Sequence, residues 1–200
     1  MRFEGTAIHG LWRVIIERFE DERGSFGRTF SRAEFAERGL ATGFVQASSS
    51  WTRRAGTLRG MHLQRPPHGE AKLVRCVRGA IHDVICDLRI DSPSYLQHQS
   101  FQLRQDGDDV LYIPSGCAHG FQTLVDDVEV TYAMSCDFAP GAAVGLRYDD
   151  PALGIAWPSP ITCISSKDMG WDDYRVASWR PAIQLETAVP DADATSGGTP

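Results

Sequence analysis

Residues 57–87 read TLRGMHLQRPPHGEAKLVRCVRGAIHDVICD. Apolar and polar side chains alternate through this stretch in runs interrupted at Pro66, Pro67, Gly69 and Gly79. Period-two alternation between Pro/Gly breaks is the signature of successive β-strands. His62 and Lys72 fall inside these runs rather than in the breaks. Burying an imidazole or an ammonium costs on the order of several kcal/mol unless the group is paired. Strict alternation along TLRGMHLQ puts Leu58, Gly60, His62 and Gln64 on one face and Arg59, Met61 and Leu63 on the other. Taken alone, a histidine sharing a face with a leucine is a hydrogen-bonded core residue.

The pattern continues outward on both sides. GFVQASSSW, YLQHQSFQLR, DVLYIPSG, CAHGFQTLVD and VEVTYAMSCDF repeat it at short spacing. With no amphipathic helix between them, these runs predict an all-β sandwich or barrel. Upstream, WRVIIERF over 12–19 reads as a first strand, and EDERGSFGRTF turns near Gly24 into a second. Ser31 followed by Glu34 forms a capping box, and Gly39 suits the residue after a helix, which predicts one short helix over Arg32 to Arg38. After Pro140 the chain turns to loops and aromatic anchors, with a short helix expected near Asp168 to Tyr174. Beyond Ile183 it lacks aromatics and periodicity. A single domain over residues 1–181 with a disordered tail over 182–200 is the expected organisation.

Twenty basic residues against twenty-six acidic ones give a formal charge of −6, the wrong balance for a nucleic-acid surface. Cys76, Cys86, Cys117, Cys136 and Cys163 are odd in number and lack CxxC spacing, which fits a reduced compartment. Charges run through the first apolar stretch and no run reaches membrane-spanning length. A cytoplasmic protein is expected, with no membrane or nucleic-acid partner.

PSGCAHGF over 114–121 has a Pro-x-Gly-x-x-His spacing that resembles the second motif of the cupins, small antiparallel jelly-roll barrels. Metal-binding cupins also carry a His-x-His pair, which is lacking here, although His62, His68 and Glu70 lie in the corresponding stretch. No metal is expected. FEDERGSF (19–26), FVQ (44–46), LRGMHLQ (58–64), AKLVRCVRGAIHDVICDLR (71–89), SPSY (92–95), IPSGCAHGF (113–121), DDPALGIAWP (149–158) and ISSKD (164–168) together resemble one cupin family, the nucleotide-sugar 3,5-epimerases typified by dTDP-4-dehydrorhamnose 3,5-epimerase.

That resemblance implies a cupin jelly roll that needs no cofactor and acts as a homodimer on a nucleoside-diphosphate 4-keto sugar. It makes His62 the base, Asp168 the carboxylate that orients it, Lys72 the cation facing the enolate oxygen, and Tyr132 the acid. It assigns Arg23, Phe26, Gln46 and Arg59 to the nucleotide, the first two through an N-terminal strand exchanged between subunits. His119 and Phe138 join them as substrate neighbours. The chemistry suits these residue types: a 4-keto group acidifies the C–H bonds beside it, and epimerisation needs a base, an oxyanion stabiliser and an acid.

Three departures bear on the substrate. Arg28 stands where the family has a Glu near the pyrimidine, Ala47 and Ser48 replace an Asp-Asn pair, and Ala133 replaces a Lys after the tyrosine. A guanidinium has only donors, so Arg28 is expected to face cytosine or a phosphate rather than thymine. Whether C3, C5 or both are inverted stays open. The competing readings are a metal-dependent cupin such as a dioxygenase, using His62, His119 and a carboxylate, and a non-catalytic sugar-binding jelly roll.

Overall fold

The computed structural model describes residues 1–175. The expected domain end at 181 and the tail over 182–200 lie outside them. In chain order the elements are β1 (Arg2–Gly5), β2 (Trp12–Ile15), β3 (Arg18–Asp21), β4 (Gly24–Gly27), α1 (Arg32–Ala36), β5 (Gln46–Thr52), β6 (Thr57–Gln64), β7 (Lys72–Arg78) and β8 (Ala80–Asp87). They continue as β9 (His98–Arg104), β10 (Asp109–Ile113), β11 (Cys117–Thr123), β12 (Val128–Met134), β13 (Ala143–Gly145), β14 (Cys163–Ile164) and α2 (Ser166–Met169).

Two antiparallel sheets form the barrel. The first runs β1-β2-β10-β7-β12-β5 and the second β13-β6-β11-β8-β9, with β14 added in parallel to β6. Between them lies an apolar layer of Val74, Cys76, Ile81, Ile85, Leu111, Phe121 and Val130, with Tyr132 packed against it. Alternation then gives each sheet an outer apolar face as well. Val14, Leu73, Val110 and Tyr112 of the first sheet are covered by Phe35 of α1 together with Phe30 and Phe44. Met61, Val84, Cys86 and Ala118 of the second are covered by Leu146, Leu153 and Tyr174 of the C-terminal segment. The strand spacing predicts a sandwich or barrel, and the chain adopts the jelly roll that the resemblance implies. Among the described residues no helix is long and apolar enough to cross a membrane.

Local boundaries differ from the sequence reading in four places. The strand expected over 12–19 is two, β2 and β3, because Ile16 N–H turns to the carbonyl of Asp108 and its side chain enters the outer layer. The helix predicted to Arg38 ends its regular part at Ala36, and Gly39 closes it at φ +66°, with Gly39 N–H bonded to Ala36 and Leu40 N–H to Phe35. This is the Schellman pattern, which needs a left-handed residue at that point. The second helix covers Ser166–Met169 rather than Asp168 to Tyr174, since Ser165 caps it by accepting from Asp168 N–H at 3.0 Å. β1, β13 and β14 are additions, each two to four residues long.

A further difference, in pairing rather than in boundaries, shapes the site. His62 pairs with His119 but Arg59 pairs with Phe121, so three steps along β6 match two along β11. The extra residue is a β-bulge, and bulges re-aim the side chains beyond them. Arg59 therefore lines the same cavity as His62, rather than sharing the face of Met61, which enters the outer layer. Gly60 sits at the bulge with φ +133°, and a Cβ there would lie 2.4 Å from Gly120 Cα.

Candidate active site

A cavity of about 580 Å³ opens between the two sheets, within the ~300–1,000 Å³ that small-molecule sites occupy. Its walls carry unlike chemistry. The second sheet supplies His62 from β6 and His119 from β11, while the first supplies Lys72 from β7, Tyr132 from β12 and Ser50 from β5. α2 brings Lys167 and Asp168 to the same space.

His62 Nε2 lies 2.6 Å from Asp168 Oδ1, and the other carboxylate oxygen accepts from Gly60 N–H at 3.4 Å. Burial opposes ionisation of Asp168, but the His62 contact and the Gly60 amide outweigh it and hold the carboxyl below its usual range. An ionised carboxylate only accepts hydrogen bonds, so it fixes the His62 proton on Nε2 and leaves the lone pair on Nδ1. His62 keeps 42% of its side chain exposed while Asp168 keeps 6%. The ring is presented, and its orienting partner is buried.

Lys72 is no edge-strand lysine reaching for solvent: β7 runs between β10 and β12. Its ammonium meets Glu70 Oε1 at 3.1 Å and donates to the His62 carbonyl, on the opposite sheet, at 3.4 Å. Tyr132 shares a hydrogen bond with Ser50 Oγ at 3.2 Å, and burial pushes its phenol pKa up. A phenol is protonated at neutral pH with or without this shift, so Tyr132 carries a proton into the cavity. His119 is tied at 2.7 Å to the buried Asp83, with its ring edge-on to Tyr132. His62 and His119 thus form two separate imidazole–carboxylate pairs.

Arg59 donates to Thr52 Oγ1 at 3.0 Å and to the Trp51 carbonyl at 3.3 Å on the cavity wall. Gln46 accepts from Phe138 N–H at 3.0 Å, which holds a largely exposed phenyl ring at the cavity rim. Arg23, Phe26 and Arg28 are not brought there. Arg23 and Phe26 belong to the β3–β4 hairpin, Arg23 pairs with Asp21, and Arg28 lies 3.8 Å from Glu34, all away from the cavity lining of their own chain. Sequence reasoning missed Gln64, Ser50, Asp83 and Lys167, and gave Glu70 only a place in a metal motif. Gln64 was visible on the His62 face and Lys167 stood beside Asp168, whereas Ser50 and Asp83 reach the site through cross-strand neighbours that local sequence does not specify.

The model of the dTDP-4-dehydrorhamnose 3,5-epimerase family matches residues 5–175 of the chain. The chain belongs to this family. A dTDP-4-dehydrorhamnose 3,5-epimerase of Methanothermobacter thermautotrophicus is 40% identical over 87% of the chain and 95% of the relative. A dTDP-4-dehydrorhamnose 3-epimerase of Streptomyces niveus is 35% identical over 94% and 89%. The crystal structure of a dTDP-6-deoxy-D-glucose-3,5-epimerase from Legionella pneumophila, in complex with dTDP-4-keto-L-rhamnose, superimposes with a TM-score of 0.85 at 28% identity, covering 93% of the chain and 99% of that structure. As a member of this epimerase family the protein is an isomerase, which sets aside the sugar-binding and dioxygenase readings.

Proposed function

We propose that the protein epimerises a nucleoside-diphosphate-linked 4-keto-6-deoxy sugar at C3, C5 or both, with His62 as base and Tyr132 as acid. The observation that carries this is the placement of a carboxylate-oriented imidazole on one wall of the cavity and a protonated phenol on the other. His62 Nδ1 takes the proton beside the keto group. The electron pair moves onto the carbonyl oxygen, where the Lys72 ammonium in a shielded cavity stabilises the enolate. Tyr132 then returns a proton to the other face of the carbon, which inverts it. Relatives named 3,5-epimerase and 3-epimerase are both similar to this chain, so the number of inverted centres belongs to the experiment.

Arg59, Gln46, His119 and Phe138 surround the nucleotide-bearing end of the substrate in this reading. Arg23, Phe26 and Arg28 act in the cavity of a second copy, within a homodimer. Arg28, with donors only, favours a cytosine or phosphate contact over thymine. The free cysteines suit a cytoplasmic location. The test is proton NMR in deuterated water with dTDP-4-keto-6-deoxyglucose and its CDP counterpart, following solvent exchange at C3 and C5 separately. Exchange at one or both centres is expected, and His62→Ala should abolish it. Wild-type exchange rates in His62→Ala, or no exchange with any nucleotide 4-keto sugar, would refute the reading.

A further inference from the structure

Lys72 does not stand alone in the cavity wall. Glu70 Oε1 lies 3.1 Å from its ammonium, and both side chains are about nine-tenths buried, at 10% and 11% exposed. The second carboxylate oxygen of Glu70 accepts from Gln64 Nε2 at 3.1 Å. The same Nε2 faces the carbonyls of His68 and Asp137, each at 3.2 Å, while Gln64 Oε1 accepts from Ala139 N–H at 2.6 Å. Three acceptors on one end and a donor on the other leave this buried amide a single orientation. Its partners Asp137 and Ala139 flank Phe138, which lines the cavity rim. One carboxylate thus joins the cavity's ammonium to the segment that carries its aromatic edge.

We propose that Glu70 is a positioning residue: bridged between Lys72 and Gln64, its carboxylate fixes the ammonium over the cavity and ties it to the Phe138 segment. This rests on the function proposed above, since it assigns Glu70 a role through the lysine that meets the enolate. A lysine side chain has four rotatable carbons and three rotatable donors. Without an anchor the ammonium is free to follow solvent rather than the keto oxygen, and electrostatic stabilisation depends on a charge already in place. A buried carboxylate also needs its own partners satisfied, and Lys72 and Gln64 take one oxygen each. Replacing Glu70 by Gln puts an amide N–H₂ toward one of two donors and breaks one link or the other.

Glu70→Gln is expected to lower kcat roughly ten-fold while KM changes less than about two-fold, the pattern of an interaction made in the transition state. The deciding readout is the double-mutant cycle with Lys72→Ala. If Glu70 acts through Lys72, adding Glu70→Gln to Lys72→Ala costs no further exchange rate at the substrate C–H. A second ten-fold loss in that background would show a merely structural role and overturn the proposal, as would a kcat for Glu70→Gln within two-fold of wild type. Should Glu70→Gln fail to fold, Glu70→Asp carries the same test, because it keeps the charge but withdraws it by one carbon from Lys72. Absence of turnover in the wild type refutes the function itself, whereas wild-type turnover with an indifferent Glu70 refutes only this role.

Discussion

In the mechanism proposed above, the phenol of Tyr132 and the imidazole of His62 divide one reaction between two walls, so the two side chains must fail differently when altered. Tyr132→Phe keeps the ring packed against the inter-sheet core and removes only the oxygen that meets Ser50. Proton abstraction by His62 is untouched, but the proton for the opposite face is gone. In deuterated water this variant should still exchange substrate protons within about ten-fold of the wild-type rate, while inversion falls by ~10²–10⁴, the span that general acids supply. NMR separates the two, because exchange with retention and exchange with inversion give different product signals. Equal loss of both would remove Tyr132 from the acid role. At this scale the sequence was informative where chemistry is local: His62 and Lys72 stood out as polar residues inside strands. The partners that make them work were hidden, because Ser50, Asp83 and the Glu70–Gln64 link are fixed by contacts across strands and loops rather than by spacing.

β6 shows how an element can be read correctly in kind and wrongly in detail. Alternation identified the strand and placed His62 inside, yet it sent Arg59 to the far face. A bulge adds one residue to one strand of a pair, and nothing in a period-two pattern announces it except a glycine where a side chain is expected. Gly60 is that glycine. At φ +133° it adopts backbone that L side chains avoid, and a Cβ would collide with Gly120 Cα, which is backbone and has nowhere to rotate. Gly60→Ala should therefore cost on the order of 3 kcal/mol, from a strained φ plus overpacking. For a domain of this size that lowers the melting temperature by roughly 10 °C. The amide of residue 60 also donates to Asp168, so exchange activity should fall even below the new melting point. A variant that melts and turns over like the wild type would show that the bulge is not needed to aim Arg59 and His62 into one cavity.

For the whole molecule, strand spacing was enough to predict an all-β sandwich or barrel, because many short strands without intervening helices leave few other ways to bury two faces, and the jelly roll within that class followed from the family resemblance alone. The pairing order was not readable: β10 lies between β2 and β7, and β11 between β6 and β8, contacts separated by tens of residues. Quaternary structure is a further step in the same direction. The β3–β4 hairpin stands apart from both sheets, and its paired Phe19 and Phe26 are 75% and 69% exposed. Two phenyl rings side by side in water are a cost that burial against another surface would recover, at about 25 cal/mol per Å². The same hairpin carries Arg23, which has no place in its own chain's cavity lining. The homodimer proposed above would satisfy both observations, its second copy covering the rings and receiving the arginine near its nucleotide. Sedimentation should then give twice the mass of one chain, and Phe19→Ser with Phe26→Ser should shift the protein to monomer. That monomer should bind nucleoside diphosphate at least ten-fold more weakly by calorimetry, with His62 and Tyr132 unaltered, and Arg23→Ala in the intact dimer should weaken it in the same direction. A wild-type monomer that binds nucleotide equally well with and without Arg23 would confine the site to one chain.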